Sequence, residues 1–96
     1  MTMSPRDKML ALLAKTPTPT LVTALLTLEA SHRSQEERLV RAMTIEELEN
    51  RFPAASAAVA AAFDADEALL DAGVDTDGVD YVAVLIAAIP TAAVSA

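Results

Sequence analysis

The chain has 96 residues, no cysteine, a net charge of -7, and Phe52, Phe63 and Tyr81 as its aromatic residues. A chain this short buries only about 60 to 65% of the surface that its unfolded form exposes, so it supports one hydrophobic core and not two domains. The lack of cysteine excludes disulfides and thiolate metal sites and fits a reducing cytoplasm, while the acidic balance repels phosphate and counts against nucleic acid.

The charge is unevenly placed. All seven Lys and Arg residues fall within residues 1–51, where seven acids balance them, whereas residues 52–96 carry Asp64, Asp66, Glu67, Asp71, Asp75, Asp77 and Asp80 with no base. The hydrophobic fraction of 53% includes 21 alanines. Alanine adds little transfer energy and is the best helix former, so this composition favours close-packed helices over a deep aromatic core.

In chain order, Ser4 is placed to cap a first helix, with Pro5 at its first position, Asp7 near its positive end, and Met9, Leu10, Leu12 and Leu13 as its apolar face. Lys15-Thr-Pro-Thr-Pro-Thr20 predicts an extended linker, because Pro17 and Pro19 remove backbone donors, after which Thr20 caps a second helix. Leu21, Val22, Leu25, Leu26 and Leu28 spread around most of that helix, the mark of the most buried element. After a short link over 30–33, Ser34 and Glu37 form a capping box for a third helix expected from about Gln35 to Phe52. Its stripe is Leu39, Ala42, Met43, Ile45, Leu48 and Phe52, and Glu37 with Arg41 and Glu47 with Arg51 are i,i+4 pairs in the favourable order. Thr44 with Glu47 equally offers a fresh cap, which leaves a kink there open.

Pro53 opens a fourth helix over 54–72, with Val59, Phe63 and Leu70 among alanines and Gly73 as its left-handed cap. Asp64-Ala-Asp-Glu67 is a further capping pattern that would divide this helix in two. Residues 73–80 form an acidic turn, tightest at Asp77-Gly78. The run from Tyr81 to Ile89 suits a buried strand by pattern. No other segment offers it a pairing partner and Asp80 is a good cap, so it is read as a helix, and 90–96 as a flexible tail. The uncharged run 81–96 is divided by Pro90 and falls short of the roughly 20 residues that cross a bilayer.

Few residues carry candidate chemistry. Asp75-Thr-Asp-Gly-Val-Asp80 invites a calcium reading, but with Gly78 at the invariant glycine of an EF-hand loop the first ligand position falls on Gly73 and the closing glutamate position on Val84. The loop therefore reads as a turn, and no metal site is expected. His32 is the sole histidine, which excludes a histidine metal cluster and most histidine triads within one chain. It is placed to bond the last carbonyls of the second helix. Paired acids raise the question of acid/base catalysis, yet no nucleophile accompanies them, and neither a phosphate-cradling nor a cofactor motif is present.

Asp64, Glu67 and Asp71 share one helix face at 3,4 spacing, where like charges repel. With Asp75 and Asp77 they are read as an acidic docking surface for a basic protein partner. The alternative is a helix-turn-helix over the second and third helices with Arg33, Arg38, Arg41 and Arg51, opposed by Glu36 and Glu37 at the end that would enter the groove. On the last helix, Val82, Leu85, Ile86 and Ile89 make one apolar stripe while Tyr81, Val84 and Ala88 cover much of the remainder. A second copy would cover that remainder in a homodimer, with the alanines of 54–62 allowing close approach and the acids at its rim.

The stretch Glu36-Glu-Arg-Leu-Val-Arg-Ala42 through Glu46-Glu-Leu-Glu-Asn-Arg-Phe-Pro53 resembles small uncharacterised helical proteins of high-GC actinobacteria and their phages. The resemblance covers under a quarter of the chain and implies no activity or ligand. The sequence thus predicts an all-α fold, a compact bundle of about five short to medium helices in a single domain over 1–96, acting as a non-enzymatic interaction or regulatory module in the cytoplasm.

Overall fold

The structure, a computed structural model, describes residues 3–30 and 34–95; the readings for His32 and Arg33 lie outside them. Its helices are α1 (Pro5–Lys15), α2 (Thr18–Ala30), α3 (Gln35–Arg51), α4 (Pro53–Asp71), α5 (Tyr81–Ala88) and α6 (Thr91–Ser95). They take up 81% of the described residues, none of which is in a strand, and the chain is an all-α bundle. No described helix is long and apolar enough to cross a membrane.

Local chemistry sets most of the boundaries. Ser4 Oγ accepts from the Asp7 amide at 3.1 Å. Ser34 Oγ accepts from the Glu37 amide at 3.2 Å while the Ser34 amide donates to Glu37 Oε1 at 3.1 Å, closing the predicted capping box. Asp80 Oδ1 accepts from the Ala83 amide at 3.1 Å, so the run after it is a helix. At the end of α4, Gly73 adopts φ +80°. There the Val74 amide reaches Leu69 O at 2.9 Å and the Gly73 amide reaches Leu70 O at 3.0 Å, the paired bonds of a Schellman cap.

Four local expectations change. The linker over 15–20 shrinks to Thr16 and Pro17, because Pro17 O accepts from both the Thr20 and Leu21 amides at 3.1 Å and α2 starts at Thr18. Pro19 sits in the first turn, where its missing donor is harmless, and Thr20 lies inside the helix. No kink forms at Thr44, which is buried within continuous α3 and donates from Oγ1 to Val40 O at 2.7 Å. α4 likewise runs unbroken through Asp64-Ala-Asp-Glu67. The expected tail over 90–96 contains α6, whose Ala93 and Val94 pack against the core.

α2 packs between α3 and α6, α1 lies on α3, and α5 folds back onto α4. The core draws Leu13 from α1, Leu21 and Leu25 from α2, Leu48 from α3, Val59 from α4 and Leu85 from α5. Each such side chain contributes about 1.5 to 3 kcal/mol by leaving water. Leu26, Leu39 and Ala42, expected inside, are exposed, because the helices packed on α2 and α3 leave these positions uncovered. A compact domain of this length has a radius of gyration of about 12.5 Å. Here it is 15.3 Å, with overall dimensions of 54 × 32 × 26 Å.

Candidate functional site

The distal half of α4 and the return loop to α5 form an arm, exposed at every residue from Glu67 to Asp75. At 3.6 residues per turn, Ala55, Val59, Phe63, Asp66 and Leu70 share one face of α4. Ala55 and Val59 are buried, but the same face then leaves the bundle, and Phe63 is 44% and Leu70 54% exposed. Leu69 and Val74, brought together by the Schellman cap, are also about half exposed. Asp66 falls within this otherwise apolar stripe, Glu67 borders it, and Asp71 and then Asp64 lie further round the helix; Asp64, Glu67 and Asp71 are exposed, as are Asp75 and Asp77 in the loop. The structure thus brings Glu67 of the predicted acids beside exposed Phe63 and Leu70, which the sequence reading had placed among the alanines of this helix.

The arm is anchored at its base by a carboxylate that sequence reasoning missed. Tyr81 Oη donates to Glu49 Oε1, and Ser56 Oγ donates to Glu49 Oε2 at 2.8 Å, so one side chain of α3 holds both α4 and α5. The Phe63 and Tyr81 rings meet with centroids 6.0 Å apart and planes inclined at 52°. The hydrogen bond to Glu49, followed by burial and the repulsion of the Glu49 charge, pushes the Tyr81 phenol up to about 12, with Arg41 pulling the other way. Tyr81 and Glu49 are 32 positions apart, so no local spacing signals the pair.

Tyr81, Val84 and Ala88, expected at a self-association face, are half-buried and pack against the core. The exposed positions of α5 are Ala83 and Ala87, so α4 and its neighbours already cover most of this helix.

Two of the arginines considered for nucleic acid, Arg41 and Arg51, have internal work. Arg41 pairs with Glu29 of α2, not with Glu37, whose carboxylate serves the capping box. Arg51 pairs with Glu47 at 3.5 Å as predicted. It also donates to Leu13 O at 2.8 Å, Ala14 O at 3.3 Å and Thr18 Oγ1 at 3.2 Å, joining α3 to the end of α1 and the start of α2. Arg38 is exposed. Between α1 and α3 lies a cleft of about 200 Å³ floored by Met9, Val40 and Met43, with Arg6 and Glu36 at its rim. No three His, Asp or Glu side chains among the described residues are arranged to hold a metal ion. Compared with known protein families, curated proteins and solved structures, the chain matches none.

Proposed function

We propose that this protein is a non-enzymatic cytoplasmic interaction module whose acidic arm docks a basic protein partner. One observation carries the reading: the helix face that forms the core at Ala55 and Val59 continues past the bundle as exposed Phe63 and Leu70, beside Glu67 and Asp71. An apolar stripe edged by one sign of charge selects a partner with exposed apolar residues edged by the opposite sign, because the charges steer the encounter and the apolar contact holds it. The nucleic-acid alternative gains no support, since Arg41 and Arg51 are committed to Glu29, Glu47 and the carbonyls ending α1.

The test is a fluorescence titration with a synthetic amphipathic peptide of leucine and lysine, at about physiological ionic strength. Replacing Asp64, Glu67 and Asp71 by Asn or Gln should weaken binding about tenfold in total, at up to about 0.5 kcal/mol for each exposed charge pair. It should also flatten the salt dependence. Equal binding by the substituted protein would refute the reading. So would tight binding of duplex DNA that Arg38→Ala abolishes.

A further inference from the structure

The molecule carries, on a different helix, a face of the chemistry that its arm selects. Along α1, Lys8, Leu12 and Lys15 follow 4,3 spacing and share one side. All three are exposed, Leu12 at 60%. Leu12 was expected in the apolar face of α1, but Leu13 takes the core position with Met9 and Leu10 packed beside it, and Leu12 is turned outward between the lysines. On α4 the counterpart is Leu70, with Glu67 one turn before it and Asp71, one turn after Glu67, on the same side of it. Each face sets a leucine beside two charges, and the charges are opposite. Leu12 and Leu70 are exposed together, so the two faces do not cover one another within one copy.

We propose that the occupant of the arm is a second copy of this chain, with the Lys8, Leu12 and Lys15 face of α1 seated on the Phe63, Glu67, Leu70 and Asp71 face of its partner. Made twice across a two-fold axis, the contact closes a dimer and uses both faces of both copies. This interface differs from one through α5, where the exposed side offers only Ala83 and Ala87. It also accounts for how a chain of charge -7 meets itself, because the two surfaces that touch are of opposite sign although the copies repel at long range. At physiological ionic strength the Debye length is about 8 Å, which screens the overall repulsion more than the close pairs. The inference rests on the arm being a docking surface, and adds that a basic partner must displace α1 of the second copy to reach it.

Charge reversal with mixing tests it. Light scattering and sedimentation equilibrium of the whole chain should give a monomer-dimer equilibrium at micromolar to millimolar concentration. Lys8→Glu with Lys15→Glu should be monomeric, as should Glu67→Lys with Asp71→Lys, with the circular dichroism of each unchanged. Mixed in equal amounts, the two variants should dimerise again, because both reciprocal contacts then pair opposite charges. Leu12→Ser should weaken the dimer by about a hundredfold, since the residue is lost from two symmetric contacts at about tenfold each. A wild-type chain that stays monomeric but binds the leucine-lysine peptide through Glu67 and Asp71 would overturn self-pairing and leave the docking surface standing. A monomer that binds no such peptide would overturn both. Failure of the mixture to dimerise, or species that grow past the dimer with concentration, would overturn the arrangement.

Discussion

Arg51 makes the sharpest case for a side chain whose value comes from tertiary contacts. A local reading gives it an i,i+4 pair with Glu47, found at 3.5 Å, and an exposed helical pair of this kind contributes about 0.3 to 0.5 kcal/mol. The structure adds three donations, to Leu13 O, Ala14 O and Thr18 Oγ1, that fasten the α1–α2 junction to the end of α3. A hydrogen bond from a charged donor contributes about 1.5 to 3 kcal/mol when buried. The Arg51 side chain retains 22% of its exposure, so the lower end of that range applies to the 2.8 Å bond and less to the two longer ones. Arg51→Met keeps the apolar stem and removes the donors, and should cost about 2 kcal/mol. For a domain of this size that lowers the melting temperature by roughly 8 to 16 °C. Glu47→Gln, which loses only the pair, should cost less than about 0.5 kcal/mol. Urea unfolding of both variants decides the matter. Equal, small losses would show that the contacts to α1 contribute nothing and that Arg51 is an ordinary surface pair.

The phenol of Tyr81 has its folded value raised to about 12, so the native state holds the proton longer than the unfolded chain. Its contribution is full below the unfolded value near 10 and is lost as pH climbs toward 12, so stability should decline across that window, and Tyr81→Phe should remove this part of the decline in pH-dependent unfolding. Gly73→Ala meets no atom within 4 Å but must hold φ +80°, so it should cost about 1 kcal/mol by thermal melting with no change in helix content, and Gly73→Asn should cost less. Leu48→Ala empties a fully buried site in the middle of the core and should cost about 3 kcal/mol in urea unfolding. A loss under about 1 kcal/mol would mean that α3 collapses into the space.

What the sequence determined by itself is the set of features whose physics acts over a turn or less. The Ser4 cap, the Ser34 and Glu37 box, the Asp80 cap and the Gly73 stop each satisfy orphan backbone groups with residues no more than a few positions away, so their spacing is their signal. The local pattern of 81–88 suits a strand, and its helical state follows from the lack of any pairing segment together with the Asp80 cap, while the partition of charge is legible without any fold. Tertiary structure decided which apolar residues the bundle covers. Leu70 repeats the register of Val59, and Leu12 sits beside Leu13, yet one of each pair is core and the other surface, because burial depends on where neighbouring helices end and not on the residue's own pattern. It also decided the partners of long side chains. Arg41 has Glu37 one turn away and binds Glu29 instead, and Glu49 holds Tyr81 and Ser56 on two other helices, since a charged group takes whichever partner the packed helices bring within reach.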